Sequence, residues 1–304
     1  MFILRHSHRL PARRFSTQPA AVKLSHEIHS PSPKSAVNAR DGKAERAPLL
    51  VLHGLFGSKQ NWRSVSKQLS NKINTQIVAI DLRNHGDSPH HMLHDYHAMA
   101  ADVFHLADSL GIDAFSVMGH SMGGKTAMHM ALENSDRIQG LICVDMSPIS
   151  LNLTSLFSDY IVTMREVEAA GVKTHQQADA IMAKTIPELP IRQFISTNLK
   201  FKEGSDVLSF RVNLDALEAS FTRHEGREGI AGFPLREKGL TYDGPALFVR
   251  GLKSGYVPDS SIPGIRRLFP QSEIVGIEGA GHWVHSEKPN EFMKVVQDWT
   301  ERKL

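Results

Sequence analysis

The chain has 304 residues, of which 41% are hydrophobic and 22% are charged, and its formal net charge is +3. These proportions are typical of a globular protein, and no apolar run approaches the roughly 20 uninterrupted residues that a membrane-spanning helix needs. Cys143 is the single cysteine, which excludes an intrachain disulfide and a cysteine zinc site.

The first segment is rich in arginine and contains no acidic residue before Glu27. This composition is typical of a mitochondrial transit peptide, so residues 1–21 are predicted to be a leader and the protein is expected in the mitochondrial matrix. Without the four arginines of the leader, the formal net charge falls from +3 to −1. Nucleic-acid binding therefore loses its main support. These arginines are Arg5, Arg9, Arg13 and Arg14.

Short apolar runs follow the leader and alternate with helical patterns. Residues 22–29 alternate apolar and polar side chains and predict an edge strand, and residues 30–47 are predicted to be a loop. This alternation predicts an α/β fold with a mostly parallel, doubly wound sheet. The predicted buried strands are 49–52, 77–80, 115–118, 141–144, 246–249 and 273–277; the predicted helices are 62–69, 96–110, 125–133 and 289–302.

One long interval, 147–243, breaks this alternation with helical spacing. It is predicted to be a helical cap inserted after strand 141–144, taken as the sixth strand, so that the core comprises residues 22–146 and 244–304. Ligands of open α/β sheets bind beyond the carboxyl ends of the strands, where the cap would cover them. A purely structural insertion is the alternative.

A G-x-S-x-G motif occupies residues 119–123, between a predicted strand and a predicted helix. A nucleophile elbow requires this context, because small residues permit a sharp turn that lifts the serine above the sheet. Ser121 is therefore the predicted nucleophile. Taken alone, the motif fits a helix start capped by serine equally well.

The same segment also satisfies the phosphate-binding pattern G-x-x-x-x-G-K-[ST] between Gly119 and Thr126. A nucleotide hydrolase is therefore an alternative, in which Lys125 contacts the phosphates and an aspartate at the end of strand 141–144 binds magnesium. That alternative gives no role to Ser121 or to a distant histidine.

A histidine near the end of the chain is the predicted general base. His282 follows a glycine-rich turn after a predicted strand, and a neutral imidazole can take the Ser121 proton near neutral pH. Other histidines are expected to have surface or supporting roles. The sequence contains no H-E-x-x-H pair, which would indicate a metal site. Neither a metal nor an organic cofactor is expected. The histidines assigned such minor roles include His85, His90, His91 and His285.

The acid of a catalytic triad is less obvious, because the loop after strand 246–249 carries Ser254 where an aspartate is common. Asp145, at the end of the strand after the nucleophile helix, is predicted to orient His282, with Ser254 hydrogen-bonded in the same network. Asp215 is the alternative acid. It also fits a cap salt bridge or a helix start.

Two backbone amides are predicted to stabilise the oxyanion of an acyl-transfer reaction. Residues 53–57 leave the first core strand with the sequence HGLFG and offer the amide of Leu55. The second donor is the amide of Met122, which follows the nucleophile. An ordinary glycine turn is the alternative for the first loop.

With these residues in place, the chain resembles the α/β-hydrolase superfamily, in particular the mitochondrial branch represented by abhydrolase domain-containing protein 11, with related bacterial esterases and yeast ethanol acetyltransferases. The likeness runs from about Leu49 to the C-terminus. It implies lipase-like hydrolysis of acyl esters or thioesters through an acyl-enzyme, without a cofactor. The segments that carry it are 52–59, 83–89, 119–126, 145–148 and 281–285, with serine at 254.

The resemblance leaves the acyl acceptor open, because the acetyltransferases pass the acyl group to an alcohol. His120 matches the hydrolase branch, whereas the yeast transferases have phenylalanine there, so hydrolysis is predicted first. The expected partner is a small acyl ester or thioester and not nucleic acid; a mitochondrial protein partner is left unidentified. A noncatalytic scaffold is the third hypothesis, since fold alone does not establish activity.

Overall fold

A computed structural model describes residues 21–32, 46–150, 154–221, 229–233 and 239–304, with backbone alone for residues 154–156. The predicted leader up to residue 20 and residues 33–45 of the predicted loop lie outside this part of the chain. Within it, no helix has the length and apolar character required to span a membrane.

A mostly parallel sheet forms the centre of the described structure. It contains seven strands in the order β1-β3-β2-β4-β5-β8-β9. β1 lies at one edge antiparallel to β3, and the other neighbours run parallel. The predicted α/β sheet and its edge strand are confirmed. In chain order the strands are β1 (His26–His29), β2 (Leu49–Leu52), β3 (Ile77–Ile80), β4 (Phe115–His120), β5 (Ile138–Val144), β6 (Leu199–Phe201), β7 (Leu208–Phe210), β8 (Ala246–Gly251) and β9 (Ser272–Ile277).

Helices cover both faces of this sheet, which explains why its strands read as continuous apolar runs. In β2, Leu50 and Leu52 pack into one hydrophobic cluster, and Leu49 and Val51 pack into the other, because successive strand residues face opposite sides. The helices are α1 (Arg63–Ile73), α2 (Tyr96–Ser109), α3 (Met122–Glu133), α4 (Thr154–Ala169), α5 (His175–Met182), α6 (Leu189–Ser196), α7 (Leu214–Ser220), α8 (Ile262–Leu268), α9 (Val284–Glu287) and α10 (Pro289–Lys303).

The interval between β5 and β8 contains helices α4 to α7 and the antiparallel hairpin of β6 and β7. The sequence indicated helices here and gave no sign of the hairpin, because strands of three residues are too short to show a period. The insertion follows β5, the fifth strand of the described residues, rather than the sixth as we expected. Residues 141–144 are the last part of that longer strand.

Candidate active site

Ser121 occupies a sharp turn between β4 and α3. Its backbone has φ 54° and ψ −116°, and its side chain makes no helix-capping hydrogen bond, so the helix-cap alternative has no support. The flanking glycines are required by packing. A Cβ on Gly119 would lie 2.1 Å from the carbonyl oxygen of Gly123, and one on Gly123 would lie 2.5 Å from the carbonyl oxygens of Leu52 and His53. This is the strained geometry expected of a nucleophile elbow.

The structure brings Asp145 and His282 together at the carboxyl edge of the sheet. Asp145 directly follows β5, and His282 lies in the loop after β9, two strands away. The Nδ1 of His282 lies 2.7 Å from Oδ2 of Asp145, whose side chain is fully buried. Since an ionised carboxylate only accepts hydrogen bonds, Nδ1 carries the proton and Nε2 is the free basic nitrogen.

Two further donors fix the Asp145 carboxylate. The amide of Gly251 donates to Oδ1 at 3.0 Å, and the hydroxyl of Ser254 donates to Oδ2. Ser254 thus lies in the network predicted for it. The ring of Tyr256 stacks on the imidazole of His282 with centroids 3.7 Å apart, and burial raises the pKa of Tyr256 to about 12. The tyrosine therefore stays neutral against the imidazole.

The loop that carries His282 is attached to the elbow through His120. The Nε2 of His120 donates to the carbonyl oxygen of His282 at 2.9 Å, and the two rings lie 4.6 Å apart. Burial and the neighbouring His282 lower the pKa of His120. The Ser121 hydroxyl makes no hydrogen bond to His282 within the described residues; such bonds often close only when substrate binds.

Asp215 lies elsewhere, on α7 of the insertion. Its Oδ1 accepts a hydrogen bond of 2.7 Å from Arg165, and its side chain is 67% exposed. This is the cap salt bridge that we considered from the sequence. The carboxylate that meets the His282 imidazole belongs to Asp145.

The two residues predicted to supply oxyanion amides, Leu55 and Met122, line the same pocket as Ser121. A Cβ on Gly54 would lie only 3.1 Å from the Cβ of Ser121. The loop after β2 therefore contacts the elbow directly. In the described part of the chain, neither amide donates to a protein acceptor.

Two buried histidines, His53 and His85, hold this loop in place. The Nε2 of His53 accepts from the amide of Leu82 at 3.0 Å, and the Nε2 of His85 accepts from the amide of Phe56 at 3.1 Å. Because an amide can only donate, both rings must be unprotonated at Nε2. Burial lowers both pKa values and keeps the rings neutral. His85 thus has the supporting role, not the surface one.

An apolar pocket opens at Ser121. The insertion forms one wall, where the rings of Phe157 and Phe221 stack with centroids 5.7 Å apart. This pair could not be predicted from the sequence, because aromatic residues on a helix face are common in any core. The other lining residues are Leu55, Tyr96, Met122, Lys125, Met146, Ile230, Ala231 and Tyr256.

The lysine required by the nucleotide-hydrolase alternative is engaged by the protein. Lys125 is 1% exposed, and its Nζ donates to the carbonyl oxygens of Ala231 and Gly232 at 3.0 and 2.9 Å. The aspartate that would bind magnesium is Asp145, which already accepts three hydrogen bonds. The geometry therefore disfavours phosphate binding at this loop.

The fold and this arrangement of residues are those of an α/β hydrolase. A family profile described as alpha/beta hydrolase fold matches residues 47–289, and the chain belongs to this family.

Named relatives agree with this class. The chain is 40% identical to the mouse sn-1-specific diacylglycerol lipase ABHD11 over 85% of this chain and 82% of that protein. It is 36% identical to a probable alcohol acetyltransferase of Saccharomyces cerevisiae, over 88% and 81% respectively. A solved marine microorganism esterase superposes with a TM-score of 0.79 at 29% identity, covering 92% of this chain and all of the other. Together these similarities support a carboxylic ester hydrolase.

Proposed function

We propose that the protein hydrolyses carboxylic esters or thioesters through an acyl-enzyme on Ser121, with His282 as base and Asp145 as acid. One observation carries this proposal: the 2.7 Å hydrogen bond between the buried Asp145 and His282, in a loop bonded to the nucleophile elbow. A nucleotide hydrolase has no use for this pair, whereas acyl transfer requires it.

The reaction follows from the positions of these groups. His282 Nε2 takes the proton of Ser121 as the serine oxygen attacks the carbonyl carbon, and Asp145 stabilises the resulting imidazolium. When the tetrahedral intermediate collapses, the bond to the alcohol or thiol breaks and His282 returns the proton to the leaving group. Water, deprotonated by His282, then attacks the acyl-enzyme and releases the acid together with free Ser121.

The amides of Leu55 and Met122 are the proposed donors to the oxygen that becomes negative during this reaction. Each such donor typically lowers the barrier by about 3 kcal/mol. The loop of Leu55 is fixed before substrate arrives, because His53 and His85 accept the amides of Leu82 and Phe56. Preorganised donors of this kind need no rearrangement at the moment of reaction.

The pocket indicates which esters fit. Phe157, Phe221 and Ile230 give it an apolar wall suited to an acyl chain. The mouse relative is named as a diacylglycerol lipase, so we place acyl-lipid esters first among the substrates. Turnover of a series of esters with different acyl chain lengths would identify the natural chain length.

Transfer of the acyl group to an alcohol is the second candidate function. Its support is the 36% identity to a probable alcohol acetyltransferase. The two reactions share the acyl-enzyme and differ in the acceptor that reaches it. Turnover in the presence of ethanol, with separate measurement of free acid and ethyl ester, distinguishes them.

A fluorophosphonate probe tests the nucleophile. We expect the wild-type chain to be labelled and to cleave acyl esters, and Ser121→Ala to lose both properties. Ser116→Ala is the control, because Ser116 is another buried serine, within β4, and should keep both. Labelling retained in Ser121→Ala would refute the assignment.

Magnesium-dependent ATP binding that is lost in Lys125→Ala would instead favour a nucleotide hydrolase. An unlabelled wild-type chain without turnover would favour a noncatalytic scaffold.

A further inference from the structure

Three side chains with metal-binding atoms converge between α2 and α3, away from the pocket. His97 lies in the first turn of α2, and His129 and Glu133 lie one turn apart at the end of α3. One ligand atom from each lies within 4.8 Å of the other two. The three side chains thus bring ligand atoms from two helices into one small space.

The distances suit a tetrahedral ion. The Nε2 of His129 lies 3.2 Å from Oε2 of Glu133, and the Nδ1 of His97 lies 3.6 Å from the same oxygen. Zinc bonds to nitrogen and oxygen of about 2.0–2.1 Å place tetrahedral ligands roughly 3.4 Å apart. Small side-chain rotations therefore suffice to bring all three atoms to an ion.

The buried imidazole of His129 supplies an independent reason for a ligand. The side chain is 4% exposed, and neither ring nitrogen makes a hydrogen bond within the described residues. Nε2 lies 3.2 Å from Oε2 of Glu133 but forms no hydrogen bond with it. Leaving a buried polar atom without a partner is unfavourable, and coordination to a metal removes that cost for the ring nitrogen that binds the ion.

We propose that His97, His129 and Glu133 bind one divalent transition-metal ion, most naturally zinc, with water as the fourth ligand. Two imidazoles and a carboxylate favour such ions over magnesium or calcium, which prefer oxygen. His97 and Glu133 are 38% and 20% exposed, so the ion and its water can enter from solvent.

This site is separate from the proposed catalytic one. Ser121 precedes α3 and Glu133 ends it, and twelve residues at 1.5 Å each place them roughly 18 Å apart. The ion would connect α2 to α3 and stabilise the folded chain by binding it selectively. The H-E-x-x-H pattern could not reveal this site, since its ligands come from two helices.

Metal titration of the full-length protein, after chelator treatment and dialysis, tests the proposal. We expect one zinc ion to bind by calorimetry, and cobalt to give the intense visible absorption of a tetrahedral site. His97→Ala should weaken zinc binding by at least about tenfold, since losing even a supporting group around a metal costs that much. Glu133→Gln provides a second variant of nearly equal size. His105→Ala, an exposed histidine of the same helix, should bind as wild type.

Stability provides the second measurement. Zinc should raise the melting temperature of the wild-type chain and of His105→Ala by more than it raises that of His97→Ala and Glu133→Gln. Ester turnover of His97→Ala in chelator should equal that of wild type. Equal zinc affinity, cobalt spectra and melting shifts in wild type and both ligand variants would overturn the proposal. So would the absence of zinc binding by the wild-type chain.

Discussion

At the residue scale, Asp145 is constrained both by its backbone conformation and by its hydrogen bonds. Its backbone has φ 47°, a conformation that few residues other than glycine adopt. The amide of Asp145 donates to the carbonyl oxygen of Val249 in β8 at 2.7 Å, which fixes the turn. The strained backbone aims the carboxylate across β8, where Gly251, Ser254 and His282 donate to it.

Exchanging this carboxylate for an amide tests its role. Asp145→Asn should lower kcat by about 10⁴-fold, because the amide no longer stabilises the imidazolium and favours the wrong tautomer of His282. The measurement is ester turnover, with circular dichroism as a check on folding. Asp215→Asn is the matched control and should leave kcat unchanged. A large loss in Asp215→Asn together with an active Asp145→Asn would assign the acid to Asp215.

Much of the proposed site could be predicted from sequence, for a local reason. Ser121 and His282 sit in short glycine-rich segments whose spacing reflects backbone constraints within a few residues. The roles of His85 and His120 could not be predicted, because each depends on a carbonyl or amide that is distant in the chain. A buried histidine that accepts a hydrogen bond cannot be distinguished from an exposed histidine in the sequence.

At the scale of elements, the site depends on how closely α3 approaches β2 and β4. Gly123 lies in the first turn of α3, and the carbonyl oxygens of Leu52 and His53 occupy the space that a side chain would need. These oxygens belong to the end of β2 and the start of the loop that carries Leu55. The approach therefore sets the position of the elbow relative to the proposed oxyanion donors.

A methyl group at this contact should be costly. Gly123→Ala should lower the free energy of unfolding by about 1–3 kcal/mol, because overpacking against backbone cannot be relieved by a side-chain rotation. Gly264→Ala provides the contrast, since a Cβ there meets nothing within 4 Å. In the helix α8 it should stabilise by about 0.5–1 kcal/mol. Urea unfolding measures both, and equal effects would contradict the packing argument.

The sheet was predictable because burial on both faces gives each core strand an uninterrupted apolar run. The elements within the insertion were less predictable. The hairpin of β6 and β7 has strands of three residues, and Phe201 is 60% exposed, so neither period nor burial marks it. Its position depends on tertiary contacts such as the hydrogen bond between the amide of Leu208 and the carbonyl oxygen of Val172.

At the scale of the whole molecule, a set of histidines is buried in the neutral form around the proposed site. Burial is the largest cause of the lowered pKa of each, and the pKa falls to about 3 for His94 and His285. Two of these rings, those of His53 and His85, accept hydrogen bonds from backbone amides through Nε2, which requires that nitrogen to be unprotonated. The histidines of the set are His53, His85, His94, His120 and His285.

This set makes the stability of the fold depend on pH in a defined direction. A histidine whose pKa is lower in the folded chain takes up its proton first in the unfolded chain, so acid favours unfolding. The free energy of unfolding should therefore be greatest above about pH 6.5 and fall below it, by about 1.4 kcal/mol per pH unit for each such histidine. For His94 and His285 the loss continues to about pH 3.

One of these histidines can be replaced so that its contribution to the pH dependence is lost while its packing contacts are kept. The ring of His285 stacks on Trp62 with centroids 4.0 Å apart, and its Nδ1 has no hydrogen-bond partner within the described residues, so phenylalanine preserves the contact. Urea unfolding of His285→Phe between pH 6 and pH 4 should show a slope smaller than that of wild type by about 1.4 kcal/mol per pH unit. His105→Gln, at an exposed position, should keep the wild-type slope. Parallel curves for wild type and His285→Phe would mean that the pKa of this ring is not lowered in the folded chain, because only a pKa that differs between the folded and unfolded chains contributes to the slope.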